Sequence, residues 1–137
     1  MRKAIQFASV LATVVVCWFV VDAIRTAVRA ERCLHACIIA TDILEQHVRA
    51  TGRWPSSWDE LQQTVPSVVT SGGIHRWPDD VTVIREFVDV DFDADLGLLA
   101  ESTPESFEAL RPIGPCYTSY ERHFEFLIEA LRETRTP

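Results

Sequence analysis

A chain of 137 residues has room for one domain, and its formal charge of −7 argues against a nucleic-acid partner, because that affinity comes mostly from cationic neutralisation of phosphates. The 47% hydrophobic content mixes two regimes. An apolar N-terminal run is followed, from Arg25 onward, by an acidic region with 11 Arg and no Lys against 19 Asp plus Glu, a balance of −8.

Residues 4 to 24, AIQFASVLATVVVCWFVVDAI, hold one charge, Asp22, near the end. An apolar run of this length matches a helix crossing a bilayer core of ~30 Å. A cleaved signal peptide has a shorter apolar core, usually about 7–15 residues, and ends at a small-residue site. The nearest such site, Val28-Arg29-Ala30, lies beyond an Arg-bearing stretch that still reads as helix. The sequence therefore predicts an uncleaved anchor over residues 1–24 and a soluble domain over residues 25–137, with the lipid bilayer as first partner. Arg2 and Lys3 on one side nearly balance Arg25, Arg29 and Arg32 on the other, so the positive-inside rule gives no orientation.

The apolar spacing continues past the membrane. Ile24, Ala27, Val28, Leu34, Ile38, Leu44 and Val48 follow a period near 3.6, and neither Gly nor Pro occurs before Gly52. These features predict one helix of nearly fifty residues, ~70 Å long at 1.5 Å per residue, apolar all round in its first half and amphipathic in its second.

The stretch TGRWPSSWDEL then supplies a helix stop and a new start. Gly52 suits a left-handed C-terminal cap, and Pro55 prevents resumption of the helix. Ser57 with Glu60 fits a capping box opening a short helix from Trp58 to about Thr64. Trp54, Trp58 and Leu61 are placed to fold the chain back onto the long helix, a core-building role for two large rings.

A basic N-terminus and one long helix with a membrane half and an amphipathic half lead into ILEQHVRATGRWPSSWDEL, where the helix ends at Gly-aromatic-Pro before a short capped helix. This opening resembles that of type IV pilins and type II secretion pseudopilins. The resemblance implies a soluble domain outside the cytoplasm, anchored in the inner membrane, with protein partners in an envelope assembly.

Farther on, Val81, Val83, Val88, Val90 and Phe92 alternate with polar residues, which predicts strand with a bulge or hairpin near Arg85-Glu86. DLGLLAE reads as a short helix or turn, and ESFEALRPIG as a second strand with Pro112 at an edge. Tyr120, Phe124, Leu127, Ile128 and Leu131 mark a C-terminal amphipathic helix. The fold class expected is α+β: a long N-terminal helix packed on a short antiparallel sheet, with a C-terminal helix.

Two clusters invite metal chemistry. Asp89, Asp91, Asp93 and Asp95 alternate with apolar residues, so on a strand the four carboxylates would line one face and a Ca²⁺ ion would relieve their repulsion. An EF-hand is excluded, because Ala94 and Ala100 stand where that loop needs Gly and Glu. Cys33 and Cys37 share a helix face, with His35 between them off that face. Structural zinc needs four ligands, and two adjacent helical turns hold Cβ atoms too far apart for a good disulfide. Cys116 remains a disulfide partner for either residue in an oxidising compartment.

No nucleophile elbow, zincin motif or phosphate-cradling glycine loop occurs. His47, His75 and His123 await an acidic neighbour in space. The reading is a non-enzymatic single-pass membrane protein, a pilin-like envelope component or accessory subunit without a cofactor. Its rival is a membrane-tethered Ca²⁺ or ligand-binding module using the Asp89–Asp95 face.

Overall fold

The computed structural model describes residues 2–64 and 81–135, with side chains from Leu11 onward except Thr118 and Ser119. The loop TSGGIHRWPDD, with His75, lies outside the described residues. Helix α1, Arg2–Thr51, is one uninterrupted helix of 50 residues. It ends where expected: Gly52 adopts φ 69°, and its N–H donates to the Val48 carbonyl at 2.8 Å. Thr51 Oγ1 donates to the His47 carbonyl at 2.8 Å and seals the same turn.

From Leu11 to Ile24 the large apolar side chains of α1 are exposed, and from Ala30 onward one face is buried. That face is Cys33, Ala36, Cys37, Ala40, Thr41, Ile43, Leu44, His47 and Val48. It differs from the stripe read by hydropathy, since Leu34 and Ile38 are only half-buried. Small residues occupy the upper part of the face, which lets the covering elements approach the helix axis closely. Thr41 satisfies its buried hydroxyl by donating to the Cys37 carbonyl at 2.8 Å, the local bond a helical threonine makes to its own turn.

Helix α2, Trp58–Gln62, starts on Ser57, whose hydroxyl accepts from the Glu60 N–H. The Glu60 carboxylate turns back one residue farther than a regular capping box, accepting from the Ser56 N–H and hydroxyl at 2.8 Å each. Trp54 is nine-tenths buried, and its Nε1–H donates to the Asp91 carbonyl at 2.8 Å. Its ring meets Phe107 edge-on at 6.4 Å, while half-buried Trp58 meets Phe92 edge-on at 5.6 Å. The two tryptophans therefore clamp the turn after α1 to the sheet.

The sheet is smaller than the valine alternation predicts. Val81–Ile84 forms a short helix, α3, with the Gln62 side-chain oxygen accepting from the Val81 N–H at 2.9 Å. Only Val88–Val90 is strand, β1. After β1 come helix α4, Leu96–Glu101, a 3₁₀ turn at Pro104–Ser106 and strand β2, Leu110–Pro112. The strands pair antiparallel, with Asp89 opposite Arg111. Pro112 is the last residue of its strand, as the edge assignment anticipates.

The C-terminal segment begins as a 3₁₀ helix, Thr118–His123, and continues as α5, Phe124–Glu133. Phe124, Leu127, Ile128, Ala130 and Leu131 are buried against α1 and α4. Arg132 and Arg135 reach across to carbonyls of Ala100, Ser102 and Gly97, so α5 also holds the end of α4. The architecture is α+β, with the sheet and both covering helices arranged along one helix face.

Replacing Trp54 by Ala should lower the unfolding free energy of the full-length protein in detergent by about 3–5 kcal/mol, the usual cost of emptying an aromatic core site. Gly52→Ala should cost about 1–2 kcal/mol through the left-handed conformation alone, because nothing lies within 4 Å of the added methyl. Denaturant melts followed by tryptophan emission measure the second directly. For Trp54→Ala, far-ultraviolet circular dichroism replaces the lost fluorophore.

Candidate metal centre

Cys33 and Cys37 lie on successive turns of α1 with no solvent exposure. The third thiol arrives from the other end of the chain. After β2, the Ile113 N–H donates to the Phe87 carbonyl at 2.7 Å. Gly114 then takes φ 95°, and Pro115 directs Cys116 inward. The Sγ atoms of Cys33, Cys37 and Cys116 all lie within 4.8 Å of one another. Among the described residues this is the one group of three or more such side chains with its ligand atoms gathered.

The surroundings of Cys37 and Cys116 hold those two thiols in the protonated form. Burial pushes the Cys37 thiol far up, and the neighbouring sulfurs of Cys116 and Cys33 add to the effect. Cys116, only half-buried, is pushed up to about 12, first by burial and then by its hydrogen bond to Cys33. The Tyr120 phenol is raised by burial and by the same three cysteines, which places it beside the cluster. Cys33 Sγ–H donates weakly to the Phe87 carbonyl at 3.4 Å. Reactive cysteines need electropositive, accessible sites; this cluster offers soft donors, two of them closed off from solvent. All three are free thiols.

His35 takes no place in the group; Cys116 stands there instead. The sequence offers Cys116 as a disulfide partner and gives no sign of it as the third thiol of this cluster. The available signal was the Gly-Pro pair before it, which marks a sharp loop without saying where that loop lands.

The acidic run is arranged differently from the expected strand face. Asp89 is on β1, which ends at Val90. Asp91 is in a turn, its Oδ1 accepting from the Asp93 N–H at 3.0 Å. Asp95 caps α4, accepting from the N–H groups of Gly97 and Leu98 at 2.7 and 3.0 Å. The expectation that all four carboxylates line one strand face is therefore corrected: local hydrogen bonding by Asp91 and Asp95 breaks the strand. Arg111 lines the same shallow hollow as Asp89, Asp91 and Asp93 and pairs with Glu108 at 3.0 Å.

Two histidines find acidic neighbours. His123 stands 3.9 Å from Asp42, and His47 stands 3.5 Å from Glu60. His47 is 3% exposed, and its Nδ1 lies 3.4 Å from Thr64 Oγ1. Its Nε2 is buried without a hydrogen bond. Burial lowers its pKa, Glu60 opposes that shift and Arg53 adds to it. His47 is thus a neutral core residue.

Comparison with known proteins finds no matching family model, no matching curated protein and no matching solved structure.

Two outcomes follow from these geometries. The folded pKa of His47 lies below the unfolded value of ~6.5, so between the two the unfolded chain binds more protons. Stability should accordingly be complete above about pH 7 and fall as pH drops through that window. His47→Gln should flatten this part of a melting-temperature profile against pH, and an unchanged slope would assign it elsewhere. Asp95→Ala should cost about 1 kcal/mol as a lost helix cap, whereas Asp89→Asn should leave the denaturant midpoint within error.

Proposed function

We propose that this protein is a non-enzymatic, single-pass membrane protein, pilin-like in build, serving as an envelope component or accessory subunit that docks through its domain. The observation that carries the membrane reading is the split of α1. Leu11, Val14, Val16, Trp18 and Phe19 are each at least 60% exposed, and none of the described residues of the domain covers them. A core helix of a soluble protein would bury such residues, since uncovered apolar surface on this scale marks a membrane or partner site. The helix is long and apolar enough to cross a membrane.

A secretory signal would share that composition, but it would be a separable segment. Here the apolar half runs without a break into the half that forms the core spine. At the junction, Ile24, Arg25, Val28, Arg29, Arg32, Glu86 and Phe87 line a hollow of about 470 Å³. Three arginines with apolar neighbours just past an apolar run suit the interfacial region, where long basic side chains lay their stems in lipid and their heads in water.

The non-enzymatic part of the reading rests on where the reactive groups sit. Cys33, Cys37 and His47 are sealed in the core. The extracytoplasmic orientation follows the pilin-like layout of the sequence.

Alkaline carbonate extraction should leave the protein in the membrane pellet, and intact mass should equal that of a chain retaining residues 4–24. A soluble product beginning near Ala30 or Glu31 would refute the anchor. A C-terminal alkaline phosphatase fusion should be active if the domain lies outside the cytoplasm, and an inactive fusion of normal abundance would reverse the orientation.

A further inference from the structure

We propose that Cys33, Cys37 and Cys116 form a three-sulfur binding site for a soft d¹⁰ metal ion, with Cu(I) as its occupant. The three sulfurs converge within 4.8 Å. Around a metal at a bond length of ~2.3 Å, three sulfurs stand ~3.8 Å apart in a tetrahedral arrangement and ~4.0 Å apart in a trigonal one. The remaining gap is at most about 1 Å per pair of sulfurs.

The support is rigid on two sides and adjustable on the third. Cys33 and Cys37 are fixed by α1, one turn apart. Cys116 sits on a loop tethered by the Ile113–Phe87 bond and is only half-buried, which gives both a path of entry and freedom to close on an ion. The thiol hydrogens of Cys33 and Cys116 make weak bonds, to the carbonyls of Phe87 at 3.4 Å and Tyr117 at 3.5 Å, so little is lost when a metal replaces them.

Ligand type and number select the metal. Thiolates select Cu(I), zinc and iron–sulfur clusters among biological partners. A closed zinc site takes four ligands and an open one keeps a water. The gathered group holds three, and two of its members have no solvent exposure, which disfavours a resident water. Trigonal coordination by three sulfurs satisfies Cu(I) without a fourth ligand. Binding exchanges thiol protons for the ion, leaving a net negative site. The Arg29 guanidinium lies on the same loop, with Nε 3.7 Å from where a Cβ on Gly114 would stand, two residues before Cys116.

The test uses the full-length, reduced protein in detergent under anaerobic conditions, titrated with Cu(I) against a chromophoric Cu(I) chelator. The expected result is one equivalent bound, with X-ray absorption showing three sulfur neighbours at ~2.3 Å and no nitrogen or oxygen shell. Cys116→Ala and Cys33→Ala should each lower affinity at least tenfold, while Cys17→Ala should bind as the parent does. Because Cys33 is a fully buried core residue, the half-exposed Cys116 variant is the decisive one, with its circular dichroism required to match the parent. Copper should also raise the parent's melting temperature and leave that of Cys116→Ala unchanged. Stoichiometric binding that survives Cys116→Ala would overturn the proposal. So would a parent that holds Zn(II) with a fourth nitrogen or oxygen ligand in preference to Cu(I), or one that binds no copper once its thiols are shown to be reduced.

Discussion

The whole domain depends on one helix face being shared between two solvents. Helix α1 has its apolar surface in lipid, on our reading, for its first half and under protein for its second. The chain beyond the apolar run is short for a core of its own, and the area buried per residue rises with size. The long helix compensates by acting as a floor on which the sheet, the C-terminal helix and the short helices α2 and α3 land. α5, the sheet and α3 all pack against it, and the tryptophan clamp prevents the chain after Gly52 from swinging away. Removing the turn chemistry at Gly52 or the ring of Trp54 would therefore disturb the whole arrangement and not one loop.

The same floor explains the thiol cluster. A helix packed closely by neighbouring elements needs small side chains where they cross, and Cys33, Ala36, Cys37 and Ala40 supply them. Cysteine fits as a small hydrophobe, and burial alone makes its thiol inert to exchange. Adding a third cysteine from the β2–α5 loop converts two packing residues into a potential ligand set. Ion binding there would tie the C-terminal third of the chain to α1 near the point where α1 leaves the apolar run, so occupancy and the attachment of the domain to its anchor would be linked.

Much of the fold was legible in the sequence because it rests on local rules. The long helix, its stop at Gly52, the serine cap of α2, the edge position of Pro112 and the amphipathic C-terminal helix all follow from caps, turn residues and a 3.6 period. The misreadings have physical causes. Hydropathy favoured Leu34 and Ile38 for the buried stripe, because it weighs size where close packing selects smallness. The valine alternation suggested strand from Val81, but a side-chain acceptor from Gln62 and a short helix govern that segment. Asp91 and Asp95 looked like members of a face and instead make turn and cap bonds of their own. Two features were out of reach: the sealing of His47 and the arrival of Cys116. Each depends on contacts between distant segments that no local pattern encodes.

The central claim is that α1 is continuous from bilayer to core, so that the domain is carried rigidly. The most direct measurement is a distance by pulsed electron–electron resonance between spin labels at Val14 and Gln46, introduced as noncanonical residues to spare the native thiols, in full-length protein in lipid nanodiscs. Thirty-two residues of unbroken helix span ~48 Å at 1.5 Å per residue, and the account predicts a single narrow distribution near that value. A broad distribution, or one centred well below it, would mean a break or hinge between anchor and domain and would contradict the account.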